Sequence, residues 1–277
     1  KTMRLSLLIL LITSLSSSKA QQQSTNNMKW VVITGGGSGI GRTLVHHFSK
    51  EYKVLTCGRR GKALHDTKVG STYPERVVVV EADIAKSNDR ERFVNALPTD
   101  AALYLLIQNA AIGDPGELID IDPAHLEYAL QVNVVAPMAL VQLLRRNLLH
   151  RGDGGRGGRV LHLGTSVAHS PQKGTLTYGI TKQAFHRLYE QLNVEEGIVC
   201  GSISPGLVDT EGVQDHITKA RLCNLPHVEY FDQAFKNDWT TSSEKLVDFI
   251  MELLQMDDAT FISQEWKFSE WVKKNPN

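Results

Sequence analysis

A short apolar run that ends in a cluster of glycines and opens into a helical pattern limits what this chain can become more than any other stretch. Trp30-Val31-Val32-Ile33-Thr34 is a continuous apolar run of the length expected for a strand buried on both faces. Gly35-Gly36-Gly37-Ser38-Gly39-Ile40-Gly41 follows as a turn, and Arg42 to Lys50 carries a helical pattern. Strand, glycine turn and helix in that order are the context of a dinucleotide-binding site. Glycines permit the tight turn and let the backbone approach a pyrophosphate closely. The helix start presents unpaired N–H groups at the positive end of its dipole. The competing reading is a β-turn with no ligand, and the flanking strand and helix weigh against it.

The same alternation runs on. Lys53–Cys57, Arg76–Val80, Leu103–Ile107, Arg159–Leu163 and Gly197–Ile203 read as strands, with a last short one at Thr260–Ser263. Residues 87–97, Pro123–Leu149 and Ser243–Leu254 read as helices, with a kink or break expected at Pro137. Asp153–Gly158 reads as a glycine-rich loop. Residues 207–240 show no clear period and include Tyr230, Phe231, Phe235 and Trp239, which suggests a long loop acting as a substrate lid. Those aromatics suit an apolar or aromatic carbonyl compound, and equally a core or an oligomer contact. Alternating strands and helices predict an α/β fold, a Rossmann-type doubly wound parallel sheet in three layers, with ligands at the carboxyl ends of the strands.

The end of the second strand bears on cofactor choice. An acidic residue there suits the ribose hydroxyl of NAD, whereas arginine suits the 2′-phosphate of NADP. Here Gly58 is followed by Arg59 and Arg60, and no carboxylate ends the strand. The reading leans to NADP(H) over NAD(H), against the alternative of two solvated loop arginines.

Tyr178 and Lys182 stand four positions apart at the start of a proline-free helical pattern, so they share one face of a helix. A cation held near a phenol lowers a pKa that is ordinarily about 10, which predicts a tyrosine able to exchange protons near neutral pH. Thirteen residues upstream, Thr165 ends the fifth strand, with Ser166 beside it. Asn133 lies among Val132, Val134 and Val135, where an amide needs a partner: it is either a satisfied core amide or part of the site.

Taken together, TGGGSGIG at 34–41, Asp83, QNAA at 108–111, Asn133, YGITK at 178–182 and Pro205-Gly206 resemble the motifs of the short-chain dehydrogenase/reductase family, in its single-domain branch. GRVLHLGTSVAHSP, YGITK and SPGLVDT are similar to its sepiapterin-reductase-like and benzil-reductase-like members. The resemblance spans Met28 to the C-terminus. It implies hydride transfer between nicotinamide and a carbonyl, with Tyr178 as proton donor and Thr165 or Ser166 hydrogen-bonding the carbonyl oxygen. It also implies that Lys182 lowers the tyrosine pKa and holds the ribose, and that Asn133 positions a water for proton resupply. For the cofactor it implies Gly35, Ser38, Gly39, Ile40, Gly41, Asp83, Ile84, Asn109, Ala110, Pro205, Gly206, Val208 and Thr210, beside Tyr178 and Lys182. A homodimer or homotetramer is a further implication.

Two positions depart from the family pattern. Ala111 replaces a glycine, and Thr165 stands where serine is usual, adding a methyl that restricts χ1. Other classes fit less well. A nucleotide-binding regulator that lost catalysis has only the threonine in its favour. A sugar-nucleotide epimerase would need more chain after Lys182.

Lys plus Arg equals Asp plus Glu at 30 each, which argues against broad attraction to nucleic acid or acidic membranes. Cys57, Cys200 and Cys223 are far apart and read as buried free thiols, and no spacing suggests a disulfide or a metal site. Residues 1–27 stand apart from the domain at 28–277. Their basic start, the apolar run Leu5–Ile12 and Ser18-Lys19-Ala20 have the form of a secretory signal, too short to span a bilayer. If residues 1–20 are a true signal, the protein enters the secretory pathway. If translation starts at Met28, the domain is cytoplasmic, and the lack of an Asn-x-Ser/Thr sequon tilts the reading that way.

Overall fold

The computed structural model describes residues 28–150, 156–195 and 197–275. The leader reading for 1–27 and the first half of the loop at 153–158 lie outside the described residues. Seven strands form one parallel sheet in the order β3-β2-β1-β4-β5-β6-β7. They are β1 (Trp30–Thr34), β2 (Lys53–Gly58), β3 (Val77–Glu81), β4 (Leu103–Gln108), β5 (Arg159–Leu163), β6 (Cys200–Ser204) and β7 (Glu265–Lys267). The chain leaves β1 toward β2 on one side and returns to β4 on the other. That reversal opens a crevice beyond the carboxyl ends of β1 and β4.

Side chains alternate across the sheet, as a period of two requires. Val32, Leu55, Leu106 and Val160 face one apolar cluster with Phe93, Leu140, Leu144 and Tyr189. Val31, Ile33, Val54, Leu105 and Ile107 face the other, with Leu44, Phe48, Leu246, Phe249 and Ile250. Both faces are covered, so the central strands are apolar throughout rather than alternating. The helices that cover them are α1 (Gly39–Phe48), α2 (Gly61–Val69), α3 (Ser87–Val94), α4 (Pro123–Leu130), α5 (Ala136–Leu149), α6 (Leu176–Leu192) and α9 (Ser243–Gln255).

Four readings of the sequence need correction. Residues 207–240 are not a lid loop: they form α7 (Glu211–Leu222) and α8 (Val228–Lys236). Val213, Ile217 and Ala220 give α7 one weak apolar stripe, whereas α8 has a pronounced apolar side, although only Ala234 on it is buried. Thr260–Ser263 is not a strand. Asp257 accepts from Thr260 N at 2.9 Å and caps a short helix, α10 (Asp258–Phe261), which places the strand at Glu265–Lys267. The final helix, α11 (Phe268–Lys274), carried no expectation. The irregularity placed at Pro137 is a π-helical turn at Gln131–Val135 between α4 and α5. Pro137 has no N–H for the carbonyl four residues back, and the widened turn absorbs the mismatch. Finally, Cys57 and Cys200 are buried thiols but Cys223 is exposed.

Residues 123–149 are long and apolar enough to cross a membrane by length and composition. Their apolar side, including Val132, Leu140, Val141, Leu144 and Leu148, is spent on the sheet.

Candidate active site

The glycine turn is held from both neighbouring strands. Gly35 N and Gly36 N donate to the Cys57 carbonyl at 2.9 and 3.1 Å. Thr34 Oγ1 accepts from the backbone N–H of Asn109 and Ala110 at 3.1 and 3.0 Å, and Asn109 Nδ2 donates to the Thr34 carbonyl at 2.9 Å. Asn109 therefore lines the crevice while its amide ties the loop after β4 to the turn after β1. Gly35 has φ +75°, in the region that favours glycine. A methyl on Gly41 would lie 2.2 Å from the Gly35 carbonyl, so this glycine lets α1 close onto the turn and is absent from the crevice lining.

The result is a cleft of about 330 Å³ at the switch point, lined by Gly35, Ser38, Gly39, Ile40, Arg59, Arg60, Asp83, Ile84, Asn109, Ala110 and Thr210 among others. Ser38 starts α1 without a side-chain cap, and no acidic residue occupies the first turn, so its N–H groups remain open to an anion. Thr210 packs its methyl on Gly39 and caps α7 through Val213 N at 3.3 Å. A glycine cradle that side chains would fill, an uncapped helix start and arginines on the rim fit a dinucleotide.

The rim carries two residues that no sequence motif singles out. Tyr128 on α4 donates to both Asp83 carboxylate oxygens at 3.1 Å and accepts from Arg59 Nη1 at 3.3 Å. Glu211 accepts from Arg60 Nη2 at 3.3 Å and lies 3.8 Å from Arg42 Nη1. Both act across more than forty residues of chain, and no local pattern marks such contacts.

Of the remaining predicted residues, Pro205, Gly206 and Val208 do not line the cleft. Val208 is 2% exposed and packs in the core, its backbone bridged to Thr241. Gly206 has φ +74°, which turns the chain after β6.

Tyr178 and Lys182 lie on α6 beside the end of β5. The Tyr178 phenol faces the Thr165 hydroxyl, which favours its ionised form, and Ser166 is exposed in the 3₁₀ turn that Thr165 caps. Gly113 closes over the ring: a Cβ there would come within 2.6 Å of it. The expected lowering of the tyrosine pKa is not found. Burial pushes it up to about 12, only partly opposed by the Thr165 hydrogen bond. The reason is where the ammonium sits. Lys182 is buried, donates to the Leu163 carbonyl at 2.7 Å, and lies 5.7 Å from the centre of the tyrosine ring. Burial lowers its own pKa to about 8, with the Glu265 charge acting in the opposite direction.

Asn133 is a satisfied amide. Its Oδ1 accepts from Ile112 N at 2.9 Å, and its Nδ2 donates to the Ile112 carbonyl at 2.6 Å and to Thr181 Oγ1 at 2.8 Å. It ties the loop after β4 to α6 one residue from Lys182.

This sheet order, with a dinucleotide-shaped crevice and a hydroxyl–phenol–ammonium group at the strand ends, defines a Rossmann-type oxidoreductase. The chain belongs to the short chain dehydrogenase family, whose profile matches residues 29–221. It is similar to an uncharacterized oxidoreductase of Staphylococcus epidermidis, 25% identical over 186 residues, which cover 66% of this chain and 79% of that protein. Among solved structures, its fold is similar to an actinorhodin polyketide ketoreductase with NADPH. That match has TM-score 0.76 and 17% identity, over 88% of this chain and 97% of the other. It is also similar to a 4-hydroxyisoleucine dehydrogenase complexed with NADH, at TM-score 0.69 and 22% identity, over 86% and 96%.

Proposed function

We propose that the chain reduces the carbonyl group of a small molecule to an alcohol, using NADP(H) in preference to NAD(H). The observation that carries this reading is the contact between the Thr165 hydroxyl and the Tyr178 phenol, beside the buried Lys182. A phenol held at a pKa of about 12 is neutral at physiological pH and keeps its proton until an alkoxide forms beside it. That favours the reductive direction.

A bound nicotinamide supplies hydride to the carbonyl carbon. Tyr178 gives its phenolic proton to the carbonyl oxygen as charge develops there, and Thr165 donates a hydrogen bond to the same oxygen. Ser166 is the second choice for that hydrogen bond. Lys182 returns a proton toward the phenolate and holds the ribose hydroxyls. The Asn133 amide is committed to Ile112 and Thr181, so its backbone carbonyl, which Pro137 cannot partner from four residues on, is left to hold the water that resupplies the proton. Gly35, Ser38, Gly39 and Ile40 cradle the pyrophosphate, Asp83 and Ile84 flank the adenine, and Arg59 and Arg60 take the 2′-phosphate. Relatives of this fold carry NADPH and NADH alike, so the preference rests on those two arginines of this chain.

The test is a panel of ketones, diketones and quinones with NADPH and NADH, run on the parent and on Tyr178→Phe. Reduction by the parent with NADPH and none by the variant is expected. A parent inert across the panel, or a fully active variant, would overturn the assignment.

A further inference from the structure

Three side chains distant in sequence converge just past the turn that carries Thr165. His169 follows that turn, His186 lies on α6, and Glu265 opens β7. His169 Nε2 is 3.0 Å from Glu265 Oε2, and His186 Nδ1 is 3.5 Å from Glu265 Oε1. The three donor atoms fall within 4.8 Å of one another. We propose that His169, His186 and Glu265 bind a divalent metal ion of the zinc type, a site separate from the cofactor crevice.

Three observations support it. First, the spacing is near that of the ion: ligands about 2.0–2.2 Å from a tetrahedral zinc stand roughly 3.3 Å apart, and the two imidazoles lie 3.0 and 3.5 Å from the two oxygens of Glu265. Two imidazoles and one carboxylate are a recurrent zinc donor set, with the fourth position left to solvent.

Second, the donor atoms are oriented from behind. Glu190 Oε1 lies 3.4 Å from His186 Nε2, on the outer side of that ring. A proton held there leaves Nδ1 as a lone pair facing the cluster. A carboxylate behind a ligating histidine is the usual outer support of such sites. Ser202 Oγ donates to Glu265 Oε1 at 3.0 Å. Gly164 leaves the room: a Cβ there would fall 2.1 Å from Glu265 Oε1.

Third, the bland alternative leaves an atom unexplained. In it Glu265 pairs with both histidines, and its 3.5 Å approach to His186 Nδ1 is an ion pair only if that ring is protonated. His186 Nδ1 is buried and has no hydrogen-bond partner among the described residues. An unpaired buried nitrogen is costly, and a metal ion satisfies it. The ion would join the Thr165 turn, the helix of Tyr178 and Lys182, and the edge strand β7.

The test uses the full chain, stripped with chelator and then titrated with Co²⁺ and with Zn²⁺, without cofactor or substrate. It therefore stands or falls independently of the carbonyl-reductase reading. The expected result is one ion per chain, the visible absorption of a tetrahedral cobalt centre, and a higher melting temperature with Zn²⁺. In His169→Asn and His186→Gln the affinity should fall by at least about tenfold, the scale already seen when only an outer support is removed. His169 is exposed, so its variant keeps the fold, which circular dichroism checks. A parent that binds neither ion overturns the proposal. So does equal binding by His169→Asn, which would move the ion elsewhere, for example to His216 and His227, whose Nε2 atoms are 3.1 Å apart.

Discussion

Lys182 donates its ammonium proton to the Leu163 carbonyl at 2.7 Å, at the end of the strand that leads into Thr165. The cation also lies 4.7 Å from the centre of the Phe185 ring. It is held for position in a place that disfavours its charge, which is why its pKa falls from 10.5 to about 8.

That placement predicts a trade of stability for activity. Between pH 8 and 10.5 the unfolded chain holds a proton on Lys182 that the folded chain has lost, so this group makes stability rise with pH through that window. Below pH 8 the full cost, about 3 kcal/mol, is present. Lys182→Met is therefore expected to be at least as stable as the parent in urea at pH 7, with the gap closing toward pH 10.5, while turnover is lost. A variant several kcal/mol less stable at pH 7 would show that the charge is well accommodated.

The contact between Thr165 and Tyr178 separates the two candidate hydroxyls. Thr165→Val keeps the shape and removes the hydroxyl, and kcat should fall about 10²–10³-fold, the scale for losing one donor to a developing oxyanion. Thr165→Ser should stay within a few-fold of the parent, and Ser166→Ala should change kcat little. A large loss in Ser166→Ala with an active Thr165→Val would reverse the choice.

The rim of the crevice predicts how cofactor preference can be moved. Glu211 pairs with Arg60 and lies near Arg42, placing a carboxylate where the 2′-phosphate would compete for the same guanidinium. Glu211→Gln should lower KM for NADPH, by a few-fold because the pairs are exposed and screened, and leave KM for NADH nearly unchanged. Arg59→Asp should lower the NADPH/NADH ratio of kcat/KM. An unchanged ratio would remove the arginines from cofactor selection.

What the sequence made legible follows from the range of the forces involved. The strand from Trp30 to Thr34, the glycine turn and the Tyr178–Lys182 spacing are local, and all three lie where they were expected. Irregularity near Pro137 was also local, but its form as a π turn goes with the Asn133 contacts to the loop after β4 and to α6. The helix α8 is amphipathic but only nine residues long, a short window for a helical period. Tyr128 and Glu211 were invisible for another reason: their partners Asp83, Arg59 and Arg60 are brought to them only by the crossover of the sheet. The raised pKa of Tyr178 was missed because spacing reports a neighbouring charge and says nothing of burial.

His162, on β5 behind the catalytic turn, supplies a prediction about acid. It is fully buried and stacked on Phe185, with ring centres 4.1 Å apart and planes within 11°. Burial, with the Lys182 charge acting the same way, lowers its pKa from 6.5 to about 3. Above pH 6.5 the ring is neutral in both states, so its protonation adds no cost to folding. As pH falls below 6.5 the unfolded chain gains a proton that the folded chain refuses, so stability drops, by about 2 kcal/mol at pH 5 and about 4 kcal/mol at pH 3. His162→Leu fills a similar space without the titrating ring. Urea unfolding at pH 7 and pH 5 should therefore show a smaller loss in the variant, by about 2 kcal/mol. Equal losses in the two chains would mean that His162 takes up its proton while folded, through a hydrogen bond strong enough to outweigh its burial.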